Sequence, residues 1–165
     1  MRRPISWLGA VMGILLLQAT TAYAGEENVP LDKVPEPVMA AVKARFKDAV
    51  VSGAATEMND EGKLVYEVSL KVEGQNIDVI LAPEGEMRLI EKTIPAKNLP
   101  SAVAKTLKDK YPKAKYKRLE EIFKVEGKNE TLAYYEAQLV TAKKIKLEVE
   151  LSAEGNILKE GKVSD

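Results

Sequence analysis

The chain repeats itself at a spacing of 65 residues. The string VPLDKVPEPVMAAVKARFKDAVV, which begins at Val29, aligns with IPAKNLPSAVAKTLKDKYPKAKY, which begins at Ile94. Further along, the spacing grows to 69 and then 70, which places the insertions in turns. Two similar halves form two similar structural units that stack against each other. We therefore predict a duplication, with one repeat in residues 25–93 and a second in residues 94–165.

Each repeat opens with an apolar stripe of helical spacing. Its positions are four residues apart, at Val38, Val42 and Phe46 in the first repeat and at Val103, Leu107 and Tyr111 in the second. This spacing predicts one amphipathic helix per repeat. Pro35 and Pro100 precede the stripes, at the start of a helix where proline is tolerated.

Apolar and polar residues then alternate with a period of two. In the first repeat the alternation runs through 64–72, 77–81 and 87–89, with turns at Glu73-Gly74 and Glu84-Gly85. The second repeat shows the same pattern in 135–139, 145–151 and from 157, and a less regular strand precedes each set, near 50–58 and 115–125. Such alternation between glycine-bearing turns is typical of hairpins. The predicted fold class is α+β, in two tandem repeats, each an N-terminal helix packed on a roughly four-stranded antiparallel sheet.

The first 24 residues have the pattern of a signal peptide. Arg2 and Arg3 precede a stretch without charge, in which the apolar run 7–17 is too short to span a bilayer. Ala22 and Ala24 are the small residues that a signal peptidase requires. We predict that residues 1–24 are removed and that the mature protein is periplasmic or secreted, without a stable membrane anchor. An uncleaved N-terminal anchor is the alternative.

The proline and apolar positions of the repeat resemble those of tandem PepSY-like proteins, which share the architecture of the β-lactamase inhibitor protein. The common pattern is [IV]-P-x-x-x-[LV]-P-x-x-V-x-x-x-[LV]-x-x-x-[FY]. The second repeat matches closely, whereas the first has Lys47 where the second has Pro112. The resemblance implies exported proteins without enzymatic activity, some of which bind or inhibit peptidases or other periplasmic proteins. It supplies no catalytic residues.

Composition excludes several classes of function. The chain contains no histidine and no cysteine, and its 25 basic residues balance 25 acidic ones. The usual acid–base residue, thiol nucleophiles and thiolate metal sites are therefore absent. A net charge of zero argues against nucleic-acid binding. We accordingly expect no enzymatic activity, no cofactor and no metal site.

Two surfaces are candidates for binding a partner. The strand alternation predicts that a group of apolar residues points outward from the sheets: Val65, Ile80, Ile90, Tyr134, Val140 and Leu158. A contiguous patch of this kind marks a binding site, and an aromatic such as Tyr134 can anchor it. The alternative surface is the basic segment 97–118, which holds eight basic residues and one acidic one. Its candidate ligand-binding residues are Lys105, Lys108, Lys110 and Lys113.

These surfaces support two functional hypotheses. The first is an exported binding module that engages an envelope or secreted protein through the outer sheet faces, in the manner of a peptidase inhibitor. The second is a periplasmic carrier or sensor of a small anionic ligand, which would use the basic segment. A deep pocket with convergent lysines would favour the carrier, and a broad face around Tyr134 would favour the protein binder.

The signal-peptide prediction is tested by expressing the full chain in a bacterial host and measuring the mass of the exported product. We expect a chain that begins at Gly25, because cleavage follows the small residues of Ala22-Tyr23-Ala24. Recovery of the full-length chain from the membrane fraction would instead identify residues 1–24 as an anchor.

Overall fold

The computed structural model describes residues 27–59 and 61–163. Strands and helices follow in the order β1 (Glu27–Asn28), α1 (Glu36–Arg45), β2 (Val50–Met58), β3 (Leu64–Val72), β4 (Gln75–Leu81), β5 (Met87–Thr93), α2 (Ser101–Lys110), β6 (Lys115–Glu126), β7 (Asn129–Val140), β8 (Lys146–Leu151) and β9 (Ile157–Lys162). A short 3-10 turn precedes each helix, at Leu31–Lys33 and Ala96–Asn98. The proposed signal peptide lies outside the described residues. In the part of the chain that is described, neither helix has the length and apolar character needed to cross a bilayer.

All nine strands form a single antiparallel sheet in sequence order. The α+β class and the two helices are confirmed, but the expected pair of separate four-stranded sheets is wrong. The last strand of the first repeat, β5, pairs with the first strand of the second, β6, from Leu89 opposite Lys124 to Thr93 opposite Glu120. Strand edges left unpaired would expose rows of backbone hydrogen-bonding groups, and this pairing removes two of them.

The helices lie where the apolar stripes predict them. Val38 and Val42 of α1, and Val103 and Leu107 of α2, are fully or almost fully buried. Phe46 and Tyr111 follow the last helical residue, where they still pack against the sheet. Only two residues of each apolar stripe lie within the helix itself. A helix of 10 residues is therefore long enough to place both of them against the strands.

Both helices pack on the same face of the sheet. One apolar cluster gathers Val38, Val42 and residues of β2–β5, and the other gathers Val103, Leu107 and residues of β6–β8. The first cluster also contains Val125 of β6, from beyond residue 94. The two halves therefore share core contacts as well as a sheet, so residue 94 is not a boundary in the packing. The duplication itself stays a prediction.

Two glycine turns fit closely beneath the helices. Gly85 and Gly155 have φ values of 87° and 83°, in the left-handed region that favours glycine. A Cβ on Gly85 would lie 2.5 Å from the carbonyl oxygen of Pro37, and one on Gly155 would lie 2.6 Å from that of Ala102. Pro37 is the second residue of α1, and Ala102 is the second residue of α2. The same contact between turn and helix therefore occurs once in each half.

Alanine at Gly155 tests this close approach. Gly155→Ala combines backbone strain with a clash against α2, whereas Gly74→Ala adds a Cβ at a φ of 88° with nothing within 4 Å. We expect Gly74→Ala to lower the free energy of unfolding by about 1–2 kcal/mol. Gly155→Ala should cost about 1–3 kcal/mol more, as overpacking does. Urea unfolding of both variants measures the difference, and equal losses would contradict the contact.

Candidate functional site

The face of the sheet that points away from both helices, here called the outer face, is rich in carboxylates. Asp78 illustrates the geometry: it alternates with Ile77 and Val79, which belong to the core beneath α1, and so points to the opposite side. The same alternation places eight acidic side chains on the outer face: Glu57, Glu67, Asp78, Glu91, Glu120, Glu136, Glu148 and Glu150. Acidic side chains from seven neighbouring strands, β2 to β8, therefore share one surface.

The middle of the outer face is buried although both described helices, α1 and α2, lie on the opposite face. Glu120 is 1% exposed, Asp78 5% and Glu136 9%, and the neighbouring Ile122 is completely buried. A flat sheet with one wet face would expose such side chains. Neighbouring outer-face side chains therefore cover one another, as happens when a sheet curves toward that face.

Arg118 is the positive charge at the centre of this face. Its guanidinium contacts the Asp78 carboxylate, and its Nε donates to Glu120 Oε1 at 2.8 Å. The hydroxyl of Thr93 donates to the same Glu120 oxygen at 3.3 Å. Farther along the sheet, Lys159 Nζ lies 3.7 Å from Glu150 Oε1. Arg118 thus contacts two of the eight acidic side chains on the outer face.

Burial and mutual repulsion change the acidity of the outer-face groups. Burial, together with the charge of Glu136, raises the pKa of Glu91 to about 10. Burial and the neighbouring Glu148 raise the pKa of Glu136 to about 8. Burial also raises the pKa of Glu120, although Arg118 opposes the shift, and it raises the pKa of the Tyr134 hydroxyl. The charged forms of these carboxyls are therefore disfavoured in the folded protein.

The residues of the predicted apolar outer patch differ in how far they are exposed. By strand register Val65, Ile80, Tyr134 and Val140 lie on the outer face, but Val65 and Ile80 are buried, and Tyr134 and Val140 are half-buried. Leu158 is 56% exposed on the edge strand β9. These residues do not form one contiguous exposed patch.

The prediction for Ile90 is wrong. Ile90 is completely buried in the core beneath α1, opposite Val79. The cause is a register shift in the β4–β5 pair, where Ile80 pairs with Leu89 but Leu81 already pairs with Met87. The extra residue, Arg88, reverses the alternation, so that Leu89 points outward and Ile90 inward.

The four lysines of the basic segment also do not form one group. Lys105 Nζ pairs with Asp109 at 2.5 Å, and Lys110 Nζ pairs with Glu160 at 2.7 Å. Lys108 and Lys113 instead line a cavity of about 500 Å³ at the end of α2, beside Tyr111 and Tyr116. Only two of the four predicted lysines are therefore brought together around a ligand-sized space.

The carboxylate cluster is the feature that sequence reasoning missed. Its members come from seven strands, and none of them belongs to a recognised ligand or catalytic spacing. The available signal was the recurrence of Glu or Asp at strand positions that alternate with core residues, as in Glu67, Asp78 and Glu136. That signal becomes a site only when the strand register is known.

The raised pKa values predict how stability depends on pH. Between the ordinary glutamate value of 4.5 and the folded-state values of about 8 and about 10, unfolding releases protons that the folded protein retains. Stability should therefore fall as pH rises from about 5 to 8, by up to roughly 1.4 kcal/mol per pH unit per group.

Glu91→Gln removes one of these groups and should flatten the dependence, whereas Glu121→Gln on the helix-side face of β6 should leave it unchanged. Urea unfolding at several pH values measures this. Stability that rises over the same range would contradict the burial of these carboxyls.

Comparison with known proteins agrees with the architecture. A crystal structure of a BLIP-like protein from Bacteroides fragilis NCTC 9343 has a TM-score of 0.55 and 16% identity, with 83% of this chain and 89% of that chain covered. A DUF2874 family protein from Bacteroides ovatus ATCC 8483 and a protein described as "putative periplasmic" from Bacteroides eggerthii DSM 20697 both have TM-scores of 0.59, at 16% and 15% identity. In each of these two, 79% of this chain and 89% of that chain are covered. No curated protein matches the sequence.

The sequence itself identifies the family. A family model described as "Putative beta-lactamase-inhibitor-like, PepSY-like" matches residues 22–90 and, a second time, residues 65–159. The two matches together cover most of the chain and confirm the resemblance found in the proline and apolar pattern. The description refers to an inhibitor rather than to a reaction. This chain belongs to the beta-lactamase-inhibitor-like, PepSY-like family.

Proposed function

We propose that the protein is an exported, non-enzymatic binding module that engages a basic segment of another protein through the outer face. The observation that carries the proposal is the set of eight acidic side chains gathered on that face, of which Arg118 contacts two, Asp78 and Glu120. Acidic groups gathered on one surface attract a basic partner, and the positive charge of that partner favours the ionised form of carboxyls whose pKa is raised. A partner that presents lysine or arginine side chains would meet this requirement.

The shape of the outer face suggests how such a segment would bind. The middle of the outer face contains the buried Asp78 and Glu120. Three other side chains on this face are half-buried and remain partly accessible: Glu67, Tyr134 and Glu148. Lysine and arginine have long apolar stems that can lie against an aromatic ring while the charged end reaches a carboxylate. A protruding loop therefore fits this curved face better than a flat surface does.

The family description and the expected export support the same class of function. An inhibitor-like module acts by binding a protein, which requires no catalytic residues. The signal-peptide pattern and the periplasmic description of a similar structure support action in the periplasm. We therefore propose a periplasmic protein, such as a peptidase, as the partner.

A second candidate function rests on the cavity at the end of α2. Lys108 and Lys113 could bind an anion there, with Tyr111 and Tyr116 forming apolar walls. Asp109 lines the same cavity and would oppose a negative charge, although it already pairs with Lys105. A carrier of a small anionic ligand is therefore the weaker proposal.

One matched pair of substitutions separates the two functions. We would capture partners of the mature protein from an envelope extract of the source cell, identify them by mass, and measure affinity for purified wild-type and variant proteins. Tyr134→Ala removes an aromatic ring from the outer face, and Tyr116→Ala removes one from the cavity. We expect Tyr134→Ala to cost more than about 2 kcal/mol of binding free energy, as an anchor residue does.

Tyr116→Ala and Lys108→Glu should change the affinity only slightly, and binding should weaken as salt increases. If Lys108→Glu and Tyr116→Ala abolish binding while Tyr134→Ala has no effect, the outer face is not the site. The cavity would then be favoured.

A further inference from the structure

Three carboxylates on three adjacent strands meet at the centre of the outer face. Asp78 on β4, Glu91 on β5 and Glu120 on β6 each place one oxygen within 4.8 Å of the other two. Asp78 and Glu91 are direct cross-strand partners, an arrangement that is destabilising for two like charges. Arg118, the nearby cation, contacts Asp78 and Glu120.

One oxygen in this group has no partner. Glu120 Oε2 is buried and accepts no hydrogen bond from any described residue, whereas Oε1 accepts from Arg118 and Thr93. A buried carboxylate oxygen without a donor is costly, so native structures normally satisfy it. The partner that this oxygen lacks is a hydrogen-bond donor or a positive ion, and a positive ion would also relieve the crowding of the neighbouring acidic groups.

We propose that Asp78, Glu91 and Glu120 bind a hard divalent cation at the centre of the outer face. All three ligands are carboxylates, which are the oxygen donors that Ca²⁺ and Mg²⁺ prefer. Histidine and cysteine, the usual ligands of zinc and copper, are absent from the chain.

The arrangement favours the larger of the two ions. Ligands contributed by three separate strands are not held in an octahedron, and Ca²⁺ accepts irregular coordination whereas Mg²⁺ demands near-octahedral geometry. We therefore expect Ca²⁺ to bind more tightly than Mg²⁺, with water completing its coordination. In the ion-free protein, Arg118 supplies the local positive charge, because its guanidinium contacts Asp78 and Glu120.

The cation site does not depend on the proposed partner, because it can be tested with the protein alone. The mature protein is treated with EDTA, exchanged into chelator-free buffer at about pH 8, and titrated with CaCl₂ and with MgCl₂ in a calorimeter. Thermal unfolding is measured in parallel with EDTA and with each salt. We expect a heat of binding and a higher Tm with CaCl₂, because a ligand that binds only the folded state stabilises it.

Two neighbouring residues of β6 supply the variant and its control. Glu120→Gln should weaken Ca²⁺ binding by at least about tenfold. Glu121→Gln, on the helix-side face of the same strand, should leave the binding unchanged. If Glu120→Gln does not fold, Glu91→Gln takes its place.

The absence of both a heat and a Tm shift up to about 10 mM of either ion would overturn the site. An equal loss in Glu121→Gln would overturn it too, since binding would then be non-specific. Tighter binding of Mg²⁺ than of Ca²⁺ would overturn the choice of ion. Partner binding is tested separately, by the Tyr134 and Tyr116 variants.

Discussion

The pairing of β5 with β6 is the contact on which the rest of the structure depends. It joins strands from the two halves of the chain and makes one nine-stranded sheet instead of two smaller ones. Because the sheet is continuous, α1 and α2 pack on the same side of it, and Val125 of the second half enters the core of the first. The opposite side becomes one uninterrupted surface.

The chemistry of that surface follows from the same junction. Asp78, Glu91 and Glu120 lie on β4, β5 and β6, so the tightest group of carboxylates extends across the boundary between the halves. Neither half alone would assemble it. Removal from water at this centre then raises the pKa values of Glu91 and Glu120. Such arrangements lower stability, and they are characteristic of sites that bind something.

The sequence predicted local structure well where the pattern repeats with a fixed period. Leu107 of α2 and its equivalent Val42 of α1 are buried between their helices and the sheet, and the less regular strands near 50–58 and 115–125 are present as β2 and β6. The pattern failed at Ile90, because one extra residue in β5 reverses which side chains face the core. The alternation of apolar and polar residues does not reveal a bulge, because the same kinds of residue continue on both sides of the extra one.

The sequence by itself determined the two helices, the hairpin turns and the family, since these depend on spacings within a few residues or on a repeat that can be aligned. The number of sheets depends on which strand edges meet, and local patterning is the same whether β5 and β6 pair or not. The acidic centre of the outer face depends on that choice as well. Its three acidic side chains, Asp78, Glu91 and Glu120, are up to 42 residues apart in the chain, yet each has an oxygen within 4.8 Å of the other two. Only the tertiary structure could bring them together, because strand register decides which side chains share a face.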